Sequence, residues 1–528
     1  MRLRQKTDAP QSVTRAAVGM GGVTMVSRVG GFVRVLVIAA VLGTTYLGNT
    51  FEATNSVSNV LFELLAAGAL SAVLVPTFVT LVDAGNDAEA DRLANGLLGY
   101  ALAAMGAITV AALVFSPLLA RLLSSGAPNA HVGAQQRQLA RFLLWFFIPQ
   151  VVLYAFGAIA TGLLYAKRRF SITAAAPLGS SVVMIACFVI FRVLVGSAPG
   201  FDLTLFEKSL LAVAGTGGCL AFVAILYVAA RLAGFSLRPR WDRGDPALSR
   251  FSRLAVWGVA LHSGAAMLLG ASLVAGNGVA GGVVAYQVAF TFFLGPYAVL
   301  AQPIHTAILP QMANDVAAGD LDEFAHSIRW ALDRMALLVI PVSAGLVVIA
   351  LPLMRLVAFG SAVKTGPVLL AAGMASLAIG LYPYGAFLLL ARSYYALGDS
   401  RTPAIVAIGA AIVGVVVMIV GSKVTHGAAL VAALGIGHTT AYLIGVIVLG
   451  VGCRRRTGRS IIPGLLPISI AISGVIAFAG WLAIRAVDPS GRLATIACLT
   501  VVGAIGTGVY ALAVRRWWRV PSRIASGA

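Results

Sequence analysis

Long apolar runs, separated by short polar loops in which arginine recurs, dominate this chain from end to end. A helix needs about 20 predominantly apolar residues to cross a bilayer. By that measure about fourteen segments qualify, near 15–41, 51–81, 95–123, 139–165, 170–196, 206–233, 250–275, 281–312, 330–357, 365–394, 403–422, 428–452, 461–485 and 493–514. The pattern predicts an all-α polytopic membrane protein.

Composition agrees. Of 528 residues, 59% are hydrophobic and 11% charged, with a mean hydropathy of +0.94, which no soluble globular protein of this size shows. The 58 glycines suit helices that approach one another closely in lipid. The net charge of +20 sits mostly in alternate loops, so it reads as topology and not as a nucleic-acid surface. With the N-terminus in the cytoplasm, most of the basic residues fall on the inner side, which predicts an even number of spans and both termini cytoplasmic. The polar start, Met1 to Ser12, is not followed by a cleavable signal pattern, so the first span is expected to be retained. Cys187, Cys219, Cys453 and Cys498 have no metal or redox spacing and are read as small packing residues.

Two local echoes point to an internal duplication. Val75-Pro76-Thr77-Phe78, then Ala84-Gly85-Asn86, is matched about 230 positions later by Leu309-Pro310-Gln311-Met312, then Ala318-Gly319-Asp320. Tyr165-Ala166 is echoed by Tyr395-Ala396 at nearly the same offset. A shift of six helices preserves orientation, so the halves are expected to be parallel six-helix lobes about a pseudo-two-fold along the membrane normal. The expected organisation is an N-lobe at 1–233, a cytoplasmic linker at 234–249, a C-lobe at 250–453, and two further helices with a basic tail at 454–528.

No phosphate loop, metalloprotease helix, paired Cys-x-x-Cys or nucleophile elbow occurs, so neither an enzyme nor a cofactor or metal site is expected. The notable chemistry is Arg28 and Arg34 in the first span, in Ser27-Arg28-Val29-Gly30-Gly31-Phe32-Val33-Arg34. A guanidinium in a span costs a few kcal/mol, so such residues usually face a cavity or bind an anion. Guanidinium binds phosphate bidentately, and the diphosphate of a lipid would supply the anion. Glu52 and Glu63 are the acidic residues of the second span, and Glu63 is a candidate counter-ion for the arginines. His262 is a candidate polar contact in a central cavity, and Gly30, Gly31 and Pro296 are candidate bend or gate points.

Several motifs together resemble the MurJ/MviN family of the multidrug/oligosaccharidyl-lipid/polysaccharide exporter superfamily. They are Ser27-Arg28-x-x-Gly31-Phe32-x-Arg34, Asn59 with Gly68-Ala69-Leu70-Ser71 and Val75-Pro76, Leu309-Pro310, and the run Tyr394 to Pro403. The resemblance spans essentially the whole chain. It implies a two-lobed flippase of lipid II, the undecaprenyl-diphosphate-linked peptidoglycan precursor, acting by alternating access in the bacterial cytoplasmic membrane. It also implies a cationic cavity, with Ser27, Arg28 and Arg34 on the diphosphate and Asn59 among the cavity's polar residues, and a groove for the lipid tail at the last two helices. Partners would be that lipid, membrane lipids and proteins of cell-wall synthesis or division. Val35, Phe62-Glu63, Ala67 and Thr291 stand where many relatives are charged, which leaves Arg28 and Arg34 as most of the expected cationic site. The competing readings are a flippase for another polyprenyl-linked saccharide, a cation-coupled drug antiporter of the same superfamily, and a non-transporting scaffold of cell-wall synthesis.

Overall fold

The computed structural model of the protein describes residues 9–62, 75–196, 199–241, 246–363 and 366–517. Among these every regular element is helical. The chain divides into two compact units, Met1–Ala266 and Met267–Ala528, with the division inside a helix and not in the expected linker. Twelve helical stretches are long and apolar enough to cross a membrane, and a pair bent by 43° adds a thirteenth. The expected second span is described only at its two ends.

Unit 1 contains α1 (Ala9–Leu42), α2 (Tyr46–Phe62), α3 (Val75–Asp83), α4 (Asp87–Val114), α5 (Ser116–Leu123), α6 (Ala130–Phe147), α7 (Gln150–Ala166), α8 (Phe170–Val195), α9 (Leu205–Leu232) and the start of α10 (Pro246–Ala275). α8 packs against α9 and α1, α7 against α9 and α4, and α2 against α6. One core cluster joins Leu42, Phe51, Phe147, Phe188 and Leu211, with Phe51 edge-on to Phe147 and Phe188 at ring separations of 5.8 and 5.0 Å.

Unit 2 continues with α11 (Gly282–Pro296), α12 (Gln302–Ala317), α13 (Leu321–Val357), α14 (Gly366–Ile379), α15 (Leu381–Ala396), α16 (Arg401–Val424), α17 (Gly427–Thr457), α18 (Leu466–Val487) and α19 (Arg492–Val514). α16 pairs with α17, α14 with α13 and α17, and α18 with α13 and α19. α14 and α15 are the bent pair.

Helix starts differ from the apolar runs. α4, α6 and α13 begin at Asp87, Ala130 and Leu321, each well before the expected span, because a polar turn in water does not stop a helix whose start is capped, as in α6 and α13, or carries acids in its first turn, as in α4 and α13. The Asp320 side chain accepts from the Glu323 amide at 2.9 Å, and Asp322 and Glu323 complement the positive end of α13.

Both sequence echoes are helix-ending turns. In the first, the amides of Ala84, Gly85 and Asn86 donate to the carbonyls of Thr80, Val82 and Leu81. Those of Ala318, Gly319 and Asp320 donate in the same pattern to Asn314, Val316 and Asp315, and Gly85 and Gly319 take positive φ of 77° and 73°. The second echo repeats the pattern at Lys167-Arg168-Arg169 and Leu397-Gly398-Asp399, with Arg168 (φ 56°) where the later copy has Gly398 (φ 74°). The repeated sequence thus encodes repeated backbone.

The first part of the expected linker is not free. After α9, Phe235 to Arg240 lie back along α4. The Asp91 carboxylate accepts from the Ser236 amide and hydroxyl (2.6 and 2.7 Å), and Asn95 accepts from the Arg238 amide at 2.7 Å. The Arg240 amide donates to the Asn95 carbonyl (3.0 Å), directly over Gly99, where a Cβ would collide with the Arg240 carbonyl. After α17, unit 2 does the same: Arg459 forms a two-pronged pair with Asp322 at 2.6 Å, and the Leu465 amide donates to Asp333 at 2.7 Å.

This close approach predicts that Gly99→Val destabilises the protein by about 1–3 kcal/mol through overpacking. Gly106→Val on the same helix, where a Cβ meets nothing within 4 Å, is expected to be neutral. Thermal melting of the purified protein in detergent checks the difference.

Candidate functional site

Along a helix successive residues turn by about 100°, so Ser27, Gly30, Gly31 and Arg34 share one stripe of α1 and Arg28 does not. The structure follows this. Ser27 is buried and Arg34 half-buried, whereas Arg28 is exposed. The two arginines are therefore not presented as one clamp on a single face. The stripe packs on α8: a Cβ on Gly30 would lie 2.6 Å from Leu178, and Arg34 Nη1 donates to Ser180 Oγ at 3.5 Å, a long bond. α1 is helical straight through Gly30 and Gly31, so Gly30 serves close packing where a bend was expected.

Among the described residues, the carboxylate within electrostatic reach of Arg34 is Glu52 on α2, and the Tyr154 hydroxyl on α7 also feels the guanidinium. Glu63, the expected counter-ion, lies outside the described residues. Glu52 belongs to a polar stretch of α2 that is buried nearly all round, with Asn49, Thr50, Thr54, Ser56 and Ser58 also buried. These groups find partners. Gln136 donates to Thr50 Oγ1 (3.2 Å), Ser58 to Gln150 Oε1 (3.1 Å), and Gln150 to Thr216 Oγ1 (3.2 Å). Tyr154 donates to Gln150 Oε1 at 3.4 Å. The surroundings of α2 are thus a hydrogen-bonded polar interior in an apolar unit, to which Arg34 is tied through Glu52 and Tyr154. Sequence reasoning singled out Glu52 only as a rare acid. The signal for the rest was the run Asn49 to Asn59, in which polar residues crowd a membrane segment.

Other expected residues stand apart. Asn59 is exposed near the end of α2, and His262 is half-buried on α10. Thr291 donates to the Gln287 carbonyl of its own helix at 3.0 Å, so its hydroxyl is already engaged. Pro296 closes α11, and a π turn at Tyr297–Ala301 separates it from α12. That interruption is of the kind that bends a helix. The arginines of the first span are also not alone within helices: Arg392 is half-buried in α15, where its charge acts on His305 and Tyr297.

Two further features carry chemistry. A cavity of about 730 Å³ in unit 2 lies between α13, α18 and α19, lined by Pro341, Gly345, Ile476, Gly480, Val502 and Tyr510 among others. Its lining is overwhelmingly apolar, and Arg515 stands at its edge. At the end of α15, Asp399 caps α16. Its carboxylate accepts from the Thr402 amide (2.9 Å) and hydroxyl (2.6 Å) and pairs with Arg456, whose guanidinium lies 4.8 Å from the Tyr394 ring centre. The run Tyr394 to Pro403 is therefore a latch joining α15, α16 and α17.

Comparison with known proteins now decides the family. The family model described as Lipid II flippase MurJ matches residues 38–497. The chain belongs to that family. Among relatives, it is 25% identical over 516 residues to the lipid II flippase MurJ of Burkholderia cenocepacia, covering 94% of this chain and 96% of that one. It is 26% identical over 397 residues to a Rhizobium tropici protein named for the same activity, covering 74% and 72%. The solved structure titled "Lipid II flippase MurJ, inward closed conformation" superposes with a TM-score of 0.72 at 17% identity, over 95% of this chain and 99% of that one. An inward-facing multidrug resistance MATE transporter follows at 0.63 and 13%, over 84% and 98%. These likenesses establish the fold that the spans predicted, and a multi-pass membrane protein of a transporter family.

The latch yields a pH-dependent prediction. Burial alone would raise the Asp399 pKa, but hydrogen bonds from Thr402 and Arg456 outweigh it and hold the carboxyl below its ordinary value. A depressed folded-state pKa means that the stabilisation is complete above about pH 4 and is lost as pH falls through the lowered value. Asp399→Asn keeps a capping oxygen but loses the charge paired with Arg456, and is expected to destabilise by up to about 1 kcal/mol at neutral pH. The gap from wild type should close on acidification, and denaturant melts at neutral and acid pH check it.

Proposed function

We propose that this protein flips lipid II from the inner to the outer leaflet of the bacterial cytoplasmic membrane, for cell-wall synthesis, by alternating access, with both termini in the cytoplasm. The observation that carries the reading is membership of the lipid II flippase family over residues 38–497. Two features of the chain give it a physical basis. In unit 1, Arg34 offers a fixed guanidinium in a polar cradle of low dielectric, where a diphosphate contact is stronger than in water. In unit 2, the cavity beside α18 and α19 has the apolar lining and the length of helix suited to a polyprenyl chain.

On this reading Arg34 binds the diphosphate. Arg28, exposed on another face of α1, attracts the anion without fixing it, and the apolar cavity holds the tail. The family is one of transporters, and binding with release is all the chemistry the residues need supply.

The test is depletion of the protein in its host, followed by measurement of lipid II accessible at the outer leaflet. Depletion is expected to abolish accessibility. Arg34→Ala should lower the flipping rate at least about tenfold, the size expected for one lost charged hydrogen-bond partner, and Arg28→Ala should reduce it less. Filling the apolar cavity with Gly480→Trp should also reduce flipping. Unchanged outer-leaflet lipid II after depletion, with another lipid-linked saccharide accumulating inside, would overturn the substrate assignment.

A further inference from the structure

The cavity between α13, α18 and α19 changes character along its length. Its wall runs from Leu337 to Ile349 on α13, from Ser473 to Gly480 on α18 and from Val502 to Arg515 on α19, and its polar members are Ser473, Thr507, Tyr510 and Arg515. The first half of α13 meets the end of α19, where Arg334 Nη1 donates to the Trp517 carbonyl. The start of α18 joins them there. Ser469, one turn before Ser473, donates to the Ala336 carbonyl of α13 (2.9 Å) and shares a hydrogen bond of 2.8 Å with the Tyr510 hydroxyl of α19. Ser473, Tyr510 and Arg515 therefore lie toward this end. The other end is apolar, with Gly480 so close to α19 that a Cβ on it would lie 3.2 Å from Val502.

At the polar end the wall becomes a cationic rim. A 3₁₀ turn, Arg515–Trp517, follows α19. The Arg516 guanidinium lies 3.9 Å from the Trp517 ring centre, and that of Arg334 lies 5.5 Å from the Trp330 ring centre. Trp330, Arg334, Leu337, Pro341 and Gly345 recur at helical spacing, so the rim continues the stripe of α13 that lines the cavity. Arg515 and Arg516 are exposed, and neither pairs with an acid among the described residues. Asp333, the acid beside Arg334, is engaged by the Leu465 amide. The C-terminal end of a helix repels anions, so an anion at this rim is drawn by the guanidiniums and not by the backbone.

A site that is apolar along its depth and doubly cationic at one end matches an amphiphile with a long hydrocarbon chain and an anionic head. Few residues of α18 and α19 are buried, so these helices border the bilayer. Tryptophan and arginine at one level mark the headgroup plane. Phosphate is the anion of that plane, and guanidinium binds it through paired hydrogen bonds. Of the amphiphiles that carry phosphate, bilayer phospholipid is in the largest excess, and occupancy follows concentration.

We propose that the rim and the adjoining end of the cavity hold an anionic glycerophospholipid as a resident ligand, with its phosphate on Arg515 and Arg516 and one chain passing Tyr510 and Val514 into the cavity. Arg334 is a positioning residue, because it holds the turn that presents the two arginines. The deeper part, at Gly480 and Val502, remains for the polyprenyl chain. A rim filled in this way leaves Arg34 as the site open to an arriving diphosphate. The phospholipid site stands on unit 2 alone and does not require the diphosphate reading of Arg34.

The experiment uses the full-length protein, washed free of lipid in detergent, with native mass spectrometry counting the lipid bound as dioleoyl-phosphatidylglycerol is added. Dioleoylglycerol, which has the same chains and no phosphate, is the comparison. The wild type should bind one phosphatidylglycerol about thirtyfold more tightly than dioleoylglycerol, the effect of two arginines beside an anionic lipid. The double variant Arg515→Gln/Arg516→Gln should bind the two lipids alike. Arg454→Gln/Arg455→Gln, which removes two exposed arginines at the end of α17 that do not line the cavity, should bind phosphatidylglycerol as the wild type does. So should Arg34→Ala, which separates this site from the diphosphate site.

Equal wild-type affinity for phosphatidylglycerol and dioleoylglycerol overturns the proposal, as does equal loss in the two double variants. Undecaprenyl phosphate added to the loaded wild type should leave phosphatidylglycerol in place. Displacement one for one would give the rim to the polyprenyl carrier and overturn the phospholipid assignment.

Discussion

A guanidinium held among the helices of an apolar unit is the constraint on which the rest of unit 1 depends. Arg34 is half-buried on the stripe of α1 that packs on α8, where a Cβ on Gly30 would collide with Leu178. Its charge is met within unit 1 by the Ser180 hydroxyl of α8, the Glu52 carboxylate of α2 and the Tyr154 hydroxyl of α7. Each of those groups would be costly alone in an apolar bundle. Together they make an interior that tolerates an anion, which an aliphatic core would exclude.

Unit 2 is built on the opposite principle at α13, α18 and α19. There the interior surface is left apolar and open, with small residues such as Gly345 and Gly480 in the wall. A polyprenyl-diphosphate lipid has both characters in one molecule, so a protein that carries it needs a polar site and an apolar one. The pinned straps, one after α9 and one after α17, show the two units using the same device at the same stage of the fold. Duplication of a six-helix segment explains this more simply than separate invention.

The spans, the all-helical class and the family were legible in the sequence because bilayer thickness imposes a run length that few other folds share. The echoes at Gly85 and Gly319 were legible because a left-handed residue at a helix end strongly favours glycine. What escaped was set by helix rotation and packing. Glu63 was a plausible partner for Arg34 by type and lies outside the described residues; among those described, the acid whose charge acts on Arg34 is Glu52. Arg392 lies within an expected span, but that it is half-buried there depends on the packing of α15, which the apolar run does not encode. The run Tyr394 to Pro403 was recognised as a motif, but its role as a latch required seeing Arg456 arrive from α17.

The central claim is that Arg34 recognises the diphosphate while the rest of the protein recognises the lipid. The most direct measurement compares binding of undecaprenyl diphosphate and undecaprenol, which share the tail, to purified wild-type protein and to Arg34→Ala. The account predicts that the wild type prefers the diphosphate by at least about tenfold, roughly 1.4 kcal/mol, and that the preference disappears in Arg34→Ala while undecaprenol binds both proteins alike. A preference that survives intact in Arg34→Ala would contradict it.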